Sequence, residues 1–367
     1  MQGQWIGNFT GTNTGEAILE LDEIGDHYEG RAYVFDDQQA VPSTTAFVIL
    51  PKAVKTHSID PLYVFPLDPR SLDQVTHEYI AKEYPGGAFP TTATTRWDFS
   101  DNEIRVQWLT NIGTHGEAVL SKVDGNKRSE LVPLKIDNWD DFRTYVQALP
   151  PYKFMFRGQG SNRWRLRTAF HRTERSDIMR FLQTDVSALH QHLSALTNHF
   201  FNLANPIENG AFVSLVQHHG YPTPLLDWTY SPFIAAFFAF KYASPTTKNV
   251  RVFIFDRELW RLDWNQLQKV APARLHFSIL DAVALNNPRM VPQQALSTVT
   301  NAEDIETYIQ KKSKERPGRQ YLHVIDLPIS QRELALRELS AMGITPGSMF
   351  PGLDGACAQL KDRFFGF

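Results

Sequence analysis

The first third of the chain alternates hydrophobic and polar residues with the two-residue period of β-strands. The segment "GEAILELDEIGDHYEGRAYVFDD" contains short alternating runs separated by Gly and Asp turn residues, and "TRWDFSDNEIRVQWLT" repeats the pattern. "GEAIL" at 15–19 returns as "GEAVL" at 116–120, which suits a closed or sandwiched sheet whose first and last strands resemble one another. Helical periodicity interrupts this part of the chain only at 71–84, where the pattern is ambiguous. We predict an antiparallel β-barrel or β-sandwich over residues 1–125.

The pattern changes after the polar, Gly-bearing segment "SKVDGNKRSE" at 121–130, which we interpret as a domain boundary. The following "DNWDDFRTYVQAL" predicts a helix, because Asp137 or Asn138 suits its N-cap and two prolines follow it. Strands and helices then alternate. The predicted strands are 154–156, 250–256 and 320–328, and the predicted helices include 176–204 and 330–344. We predict an α+β domain over residues 126–367.

The composition is that of an ordinary folded protein, with 42% hydrophobic residues, 21% charged residues and a formal net charge of -3. The single cysteine, Cys357, excludes an intrachain disulfide framework and a cysteine-based zinc site, and it fits a reducing compartment. The N-terminal residues lack a signal-peptide pattern, and the longest apolar run, residues 232–240, is about half the length that spans a bilayer. We expect a cytoplasmic protein of two domains that is not inserted in a membrane.

The candidate chemistry begins with the arginine that ends the apolar run "YKFMFRG". An unpaired buried cation is very costly, so Arg157 at the end of a buried strand needs a compensating partner. One interpretation is an ion pair with Asp227. The other is that the planar guanidinium grips a ligand phosphate, while Gly158 lets the ligand approach the backbone.

The segment "QHHGYPTPLLDWTYSPFIAAFFAF" at 217–240 joins an irregular loop to a helix that is apolar nearly all round. Ser231 suits the N-cap of this helix, and a proline follows at the first helical position. Asp227, Trp228 and Tyr230 would then lie on a cleft floor where the N–H groups of the helix face an anion. Alternatively, Trp228 belongs to the core and Asp227 is an acceptor for the backbone of the loop.

Two glutamines and two histidines complete the candidate residues. Gln293 and Gln294 follow a proline in "PRMVPQQALS", and a carboxamide, which donates and accepts hydrogen bonds, suits recognition of an amide, a ribose or a base edge. Exposed loop polarity explains the glutamines equally well. His218 and His219 are adjacent and cannot share a helix face, so we predict no metal site. The turn-rich "MGITPGSMFPGLDGACAQL" is expected to close the domain.

Together these motifs resemble the FRG domain family, named for the Phe-Arg-Gly that stands here as Phe156, Arg157 and Gly158. The resemblance continues in order through "QHHGYPTPLLDWTYSPFIAAFFAF", "PRMVPQQALS" and "GITPGSMFPGLDG", and it covers roughly residues 137–360. Many members have Gly after the glutamine pair, whereas this chain has Ala295. The N-terminal β part lies outside the family motifs. The resemblance implies a part in bacterial stress or phage defence, often in fusion with other modules.

The same residues are more weakly similar to ADP-ribosyltransferases, which implies a fold of that kind and NAD as the cofactor. By this similarity Arg157 would hold the NAD pyrophosphate, and Thr229 and Ser231 would order the scaffold around the nicotinamide ribose. Trp228 or Tyr230 would stack on the nicotinamide. The implied catalytic residues are Arg157, Thr229 and Gln294, and the implied cofactor-binding residues are Phe156, Gly158, Gln159, His219, Asp227, Trp228, Tyr230, Ser231 and Gln293.

The third position of this implied site differs from that of the transferases. Those enzymes stabilise an oxocarbenium-like centre with a carboxylate, whereas "VPQQAL" offers the neutral Gln294, which forfeits most of that electrostatic stabilisation. Asp227 or Glu333 would have to substitute for it in space.

Three functions follow from these patterns. The first is an NAD-consuming toxin or effector that modifies a macromolecule, protein or nucleic acid, and that a partner protein neutralises. The second is a non-catalytic module that binds nucleotide or nucleic acid, because the arginines between 157 and 175, with Trp164 and Phe170 among them, suit single-stranded phosphates and stacked bases. The third makes the β domain the main interaction element, with the second domain in a supporting role.

Overall fold

The protein is described by a computed structural model that covers residues 1–38, 41–268, 270, 274–281 and 283–366. This described part of the chain divides into two compact units. The first unit comprises Met1–Asp124, Ala169–Gln191 and Val270–His276, and the second comprises Gly125–Thr168, His192–Lys269 and Phe277–Phe367. The main boundary, at Asp124, lies inside the predicted polar segment. The first unit also contains residues 169–191 and 270–276, which the sequence pattern assigned to the second domain.

The first unit is built on an antiparallel sheet that has nine strands within the described residues. The strands are β1 (Gly3–Gly11), β2 (Gly15–Ile24), β3 (His27–Asp36), β4 (Thr44–Pro51), β5 (Thr56–Tyr63), β6 (Phe65–Pro66), β7 (Thr92–Phe99), β8 (Glu103–Thr110) and β9 (His115–Lys122). Their order in the sheet is β5-β7-β8-β9-β1-β2-β3-β4-β6. The stretch that was ambiguous in the sequence contains helix α1 (His77–Glu83), whose N-cap Thr76 accepts a hydrogen bond from the Tyr79 N–H at 3.2 Å.

One continuous stretch of chain joins the two ends of this sheet. β5 pairs with β7 at one end of the strand order, while β6, which begins just after β5, pairs with β4 at the other end. β4 and β5 also lie in contact. The sheet is therefore a nearly closed barrel, which confirms the predicted all-β first domain.

Alternate residues of the strands pack in the barrel interior. The core includes Trp5, Leu19, Leu21, Leu50, Trp97 and Ile104. The repeated segments "GEAIL" and "GEAVL" lie in β2 and β9, the two neighbours of β1, so the second repeat is in the last strand of the barrel but the first is in the second strand. The repeat therefore marks two strands that share one central partner.

The segment 169–191 belongs to the first unit because its polar groups bind β2. It contains α3 (Ala169–Arg172) and α4 (Ile178–Arg180), followed by a π-helical turn (Phe181–Val186) that runs into α5 (Ser187–Leu193). The Arg175 Nε atom donates to the Asp22 carboxylate at 3.0 Å, and Ser176 Oγ accepts from the Leu21 N–H at 3.1 Å. An amphipathic pattern does not specify which surface a helix covers, so this arrangement is not readable from the pattern.

In the second unit, the described strands form a six-stranded antiparallel sheet in the order β13-β14-β11-β10-β12-β15. The strands are β10 (Phe154–Gln159), β11 (Leu225–Thr229), β12 (Asn249–Asp256), β13 (Phe277–Leu280), β14 (Ala295–Thr300) and β15 (Leu322–Pro328). The helices are α2 (Trp139–Gln147), α6 (Pro206–His218), α7 (Pro232–Lys241), α8 (Arg257–Asp263), α9 (Ile305–Lys314), α10 (Arg332–Ala341), α11 (Pro346–Met349) and α12 (Leu353–Phe365). The predicted mixture of helices and strands is confirmed.

Hydrophobic layers cover both faces of this sheet. On one face α7 packs with α2 and α10, and its apolar composition follows from burial on several sides. On the other face, Trp228 and Phe253 pack with Trp260 of α8. The predicted N-cap of α2 is Asn138, whose side chain accepts from the Asp141 N–H at 2.9 Å. Within the described ranges, no helix is both long and apolar enough to cross a bilayer.

Candidate ligand site at the junction of β10 and β11

Arg157 lies on β10 at the point where this strand separates from β11. Among the described residues, β10 pairs with β12 at six positions but with β11 only at Phe156–Thr229. The half-buried Arg157 donates a hydrogen bond from Nη1 to the main-chain oxygen of Asp227 at 2.6 Å. The guanidinium therefore connects the two strands just beyond their last paired residues.

Asp227 meets Arg157 through its main chain, whereas its carboxylate is directed to other groups. The Oδ1 atom accepts hydrogen bonds from Gln217 Nε2 and, at 3.5 Å, from Ser297 Oγ. Gln217 in turn accepts from the Thr223 hydroxyl, so its carboxamide ties the loop before β11 to the strand. The contact of Arg157 with Asp227 is thus a hydrogen bond to a carbonyl, and not the carboxylate ion pair that was one interpretation of the sequence.

Gly158 is required by the packing of α7 on β10. A Cβ atom at this position would lie 1.8 Å from the Ala235 carbonyl oxygen and 2.7 Å from the Ala239 nitrogen, both in α7. The close approach that glycine permits is that of the helix backbone, so the expectation that it admits a ligand there is wrong. Phe156 is likewise a core residue beneath α7.

Thr229 and Ser231 organise the corner between β11 and α7. Thr229 Oγ1 donates to the main-chain oxygen of Gln293 at 2.7 Å and accepts from the Ser231 N–H at 3.0 Å. Ser231 Oγ accepts from the Ile234 N–H at 3.3 Å, which confirms Ser231 as the N-cap of α7. Thr229 is only 4% exposed. Both hydroxyls are therefore engaged inside the protein and hold the corner in shape.

The two aromatic residues of this corner have different environments. Trp228 is 3% exposed and donates from Nε1 to Thr298 Oγ1 at 3.0 Å, so it is a core residue and the prediction that it stacks on a ligand is wrong. Tyr230 is half-buried, and its ring centroid lies 5.5 Å from that of the exposed Tyr152. Arg257 donates to the Tyr230 hydroxyl at 3.1 Å. Tyr230 is thus the less buried aromatic residue of this corner, and the Arg257 guanidinium lies over its ring at 5.3 Å from the centroid. The sequence motifs gave no role to its neighbours Tyr152 and Arg257.

Gln293 and Gln294 lie in the turn that leads into β14, with different exposure. The Gln293 side chain is buried and donates from Nε2 to the Met349 main-chain oxygen at 2.8 Å, so it has a structural partner. The Gln294 side chain is exposed, and its main-chain oxygen accepts from the Tyr230 N–H at 3.1 Å. Gln294 has a φ of 46°, and Ala295 simply begins β14. The left-handed residue of this turn is therefore Gln294 itself, so alanine at 295 is tolerated.

The predicted residues Gln159 and His219 are not joined to this corner. Gln159 is buried and donates to the Arg165 main-chain oxygen at 3.4 Å, while His219 is exposed at the end of α6. Within the part of the chain that the structure describes, no group of three His, Cys, Asp or Glu side chains is arranged to hold a metal ion. The residues brought together by direct hydrogen bonds are Arg157, Asp227, Thr229, Tyr230, Ser231, Gln293 and Gln294.

Residues 152–248 match the family model of the FRG domain. These residues form an FRG domain. The matched segment contains Arg157, β11 and the start of α7, while Gln294 lies beyond it. No curated protein matches the chain significantly. A solved structure of a redesigned β-barrel is similar at 8% identity over 34% of this chain and 91% of that chain, with a TM-score of 0.23 that is too low to support an argument about the fold.

Most arginines that follow the Phe-Arg-Gly of the FRG domain have partners inside the protein. The buried ion pairs are Arg165–Asp304, with an N–O distance of 2.9 Å, and Arg167–Glu303, with a distance of 2.5 Å. Phe170 is also buried, whereas Arg163 and Trp164 are exposed, Trp164 by 49%. The predicted arginine cluster is therefore wrong as a continuous phosphate-binding surface, because carboxylates distant in the sequence neutralise the charges of Arg165, Arg167 and Arg175.

A cavity of about 270 Å³ beside Arg163 collects cations from separate segments of the second unit. It is lined by Arg128, Ser129, Asn162, Arg163, Lys248, Asn249 and Arg251. Arg128, Arg163 and Lys248 are exposed, whereas Arg251 is buried and donates to Asp326 at 2.7 Å. This basic cavity could not be found from sequence spacing, because its residues come from segments far apart in the chain.

A buried carboxylate lies behind the basic cavity. Glu306 accepts hydrogen bonds from Ser129 Oγ at 2.8 Å and from the Leu166 N–H at 2.9 Å. Burial raises the pKa of Glu306, while these hydrogen bonds and the charges of Arg165 and Arg251 oppose the shift. Glu306 therefore holds its proton more tightly than an exposed glutamate would.

Proposed function

We propose that the FRG domain binds NAD at the junction of β10 and β11 and has an ADP-ribosyltransferase-like fold and chemistry. The observation that carries the proposal is the Arg157 guanidinium, which crosses from β10 to the Asp227 carbonyl where the two strands cease to pair. A guanidinium at the point where two strands diverge is suited to the oxygens of a pyrophosphate, because its planar N–H groups can donate to two oxygens at once.

The other corner residues would contact the remaining parts of the dinucleotide. The exposed Gln294 carboxamide can donate and accept, which suits a ribose hydroxyl or the nicotinamide amide. The half-buried Tyr230, with Tyr152 against its ring, offers an aromatic surface for a base. Thr229 and Ser231 would act indirectly, by keeping the turn of Gln294 fixed against α7.

In the transfer reaction the bond between the ribose C1′ atom and the nicotinamide nitrogen breaks. Nicotinamide leaves with the electron pair, a nucleophile of the target forms the new bond to C1′, and its proton passes to solvent. The cationic ribose centre needs negative charge nearby. Asp227 is turned to Gln217, Glu333 is exposed on α10, and Gln294 is neutral. Binding without rapid turnover is therefore the expected behaviour of the isolated protein, and a target in bacterial stress or phage defence would accept the ADP-ribose.

Calorimetric titration with NAD, together with an assay of nicotinamide release, tests the proposal. We expect wild-type protein to bind NAD and Arg157→Ala to lose about tenfold to a hundredfold in affinity, as expected for a charge-assisted hydrogen bond. Arg163→Ala is the matched control, because Arg163 is an exposed arginine outside the corner. Equal affinities of the two variants, or no heat of binding for a folded wild-type protein, would reject the site.

A second candidate function, nucleic-acid binding, is favoured by the basic cavity and the exposed Trp164. Three exposed cations, Arg128, Arg163 and Lys248, can neutralise phosphates, and an aromatic side chain can stack on a base. Binding of a single-stranded oligonucleotide should then fall steeply with salt and weaken in Arg163→Ala and Lys248→Ala, while Arg157→Ala keeps the wild-type affinity. The opposite ranking of these variants would assign the oligonucleotide to the Arg157 site.

A further inference from the structure

The barrel of the first unit encloses a cavity of about 410 Å³. This volume falls within the range of about 300–1,000 Å³ that is usual for small-molecule sites. The lining residues at one end of the barrel include Asn13, Pro42, Phe89 and Ile112. At this end the β1–β2, β3–β4 and β8–β9 connections meet the segment before β7. We call these connections the loop end of the barrel.

The cavity exists because small side chains occupy inward positions near the loop end. Five of the described lining residues are alanines on strands, namely Ala17, Ala32, Ala46, Ala93 and Ala118. Large side chains such as Trp5, Leu21, Leu50 and Ile104 instead pack into the core outside the set of lining residues. An apolar void destabilises a fold in proportion to its volume. A barrel with five inward alanines thus keeps open a space that larger residues would have filled.

Aromatic side chains form part of the cavity wall. Phe9 and Trp108 meet edge to face with centroids 5.7 Å apart, and Trp97, which is buried, also lines the cavity. The fluorescence of Trp97 and Trp108 should therefore respond to a ligand bound in the cavity.

Most polar groups of the cavity lie at the loop end and are neutral or already hydrogen-bonded. Farther in, the Thr95 hydroxyl accepts a hydrogen bond from Trp97 Nε1 at 2.8 Å. Thr12 Oγ1 accepts from the His115 N–H at 3.0 Å, and the hydroxyls of Thr110 and Thr114 are 2.7 Å apart. The Asp36 carboxylate accepts from Asn13 Nδ2 at 2.7 Å. None of the described residues that line the cavity is Lys or Arg. An anionic ligand would find no fixed positive charge, whereas hydroxyl and carboxamide groups at the loop end suit a neutral polar group.

We propose that the barrel is a binding site for an uncharged, mainly apolar small molecule that carries one hydrogen-bonding group. Its apolar part fills the space between the five alanines and the aromatic wall, and its polar group lies among the threonines of the loop end. Eight-stranded barrels of comparable size hold one small ligand in this way. This site belongs to the first unit alone and does not depend on the proposed function of the FRG domain.

Binding is measured with the uncharged dye N-phenyl-1-naphthylamine, whose fluorescence rises in apolar surroundings. We expect saturable binding to the full chain and energy transfer from tryptophan, since Trp97 and Trp108 line the cavity. Decanol should displace the dye more effectively than decanoate or decylamine, which have the same chain length but carry charge. Absence of saturable binding, or displacement by decanoate equal to that by decanol, would overturn the proposal.

A pair of variants on β7 locates the dye. Ala93→Phe adds a ring inside the cavity, and Thr94→Phe adds the same ring on the exposed face of the same strand. The first should weaken dye binding by about tenfold or more, because the added volume occupies the space, and the second should leave it unchanged. Ala46→Val, a smaller filling change, should give an intermediate loss if Ala93→Phe fails to fold. If folded Ala93→Phe and Thr94→Phe proteins bind the dye equally well, the dye binds outside the cavity and the proposal is wrong.

Discussion

Arg157 binds Asp227 through the main-chain oxygen of Asp227, at 2.6 Å, while the carboxylate of the same residue accepts a hydrogen bond from Gln217. The contact between the strands is therefore independent of the charge of Asp227. The two interpretations of Arg157 can therefore be tested separately. An ion pair with Asp227 would require the Asp227 carboxylate, whereas a ligand site requires only the Arg157 guanidinium.

Asp227→Asn should consequently keep NAD binding close to that of the wild-type protein. The asparagine oxygen can still accept from Gln217, so we expect a loss of about 1 kcal/mol or less in the free energy of unfolding. Calorimetric titration and urea denaturation of Asp227→Asn beside Arg157→Ala measure both quantities. A collapse of NAD binding in Asp227→Asn with the fold intact would mean that the carboxylate is part of the site.

Gln294→Glu should accelerate nicotinamide release from NAD. The side chain is exposed, so a glutamate of the same length is accommodated and supplies the missing negative charge at the third position. We expect an increase of about tenfold or more in the release rate, which corresponds to about 1.4 kcal/mol in the barrier. An unchanged rate with NAD still bound would indicate that Gln294 does not face the ribose.

Gln293→Glu is the matched control for that substitution. The Gln293 carboxamide is buried and donates to the Met349 oxygen, and a glutamate would place a carboxylate against this carbonyl. The expected effect is a loss of about 1–3 kcal/mol in the free energy of unfolding with no gain in nicotinamide release. Urea denaturation and the release assay distinguish the two positions.

Gly158→Ala should strongly destabilise the second unit. The added Cβ would lie 1.8 Å from the Ala235 oxygen, and backbone cannot move aside as a flexible side chain can. We expect a loss of about 3 kcal/mol. Gly220→Ala is the control, because Gly220 has a φ of 93° with open space around it, so it should cost only about 1–2 kcal/mol of backbone strain. Similar losses for both would contradict the close packing of α7 on β10.

The first unit should become less stable as the pH rises from about 4 to 6, because Asp177 loses its proton in this range. Burial, with the neighbouring charge of Asp22, raises the pKa of Asp177 to about 6, against the hydrogen bond from the Arg180 N–H. The folded state therefore binds this proton more tightly than the unfolded state, so rising pH favours unfolding across that window. The resulting penalty at neutral pH is about 3 kcal/mol for a two-unit shift.

Asp177→Asn should remove this dependence and stabilise the protein at pH 7. Asparagine caps the helix as well as aspartate does, so the hydrogen bond to Arg180 is kept. Urea denaturation of both proteins at pH 4.5 and pH 7 gives the comparison. A difference between variant and wild type that is the same at both pH values would show that Asp177 does not titrate in this range.

The barrel and the start of α7 could be predicted because their signals are local. Alternation of apolar residues follows from the two faces of a strand, and Ser231 before a proline has the chemistry of an N-cap. The resemblance of ordered motifs also indicated the FRG domain correctly.

The roles of individual residues were harder to predict, because they depend on partners distant in the chain. Arg165 and Arg167 look like available cations until Asp304 and Glu303 are brought against them. Trp228 looks like a cleft residue, yet alternation along β11 directs its ring into the core. Gly158 suggests space for a ligand beside the backbone, but the backbone of α7 occupies this space. The basic cavity and the barrel cavity arise only from the tertiary arrangement.

The joining of β5 to β6 across the seam of the barrel has a consequence for association. An open sheet presents edges to which a strand of another molecule can be added, and such edges promote polymerisation. Here the two boundary strands face each other and are linked by a single residue, Val64. Addition of a strand at the seam would therefore have to displace the contact between β4 and β5, whereas the loops and outer side chains of the barrel are open to a partner.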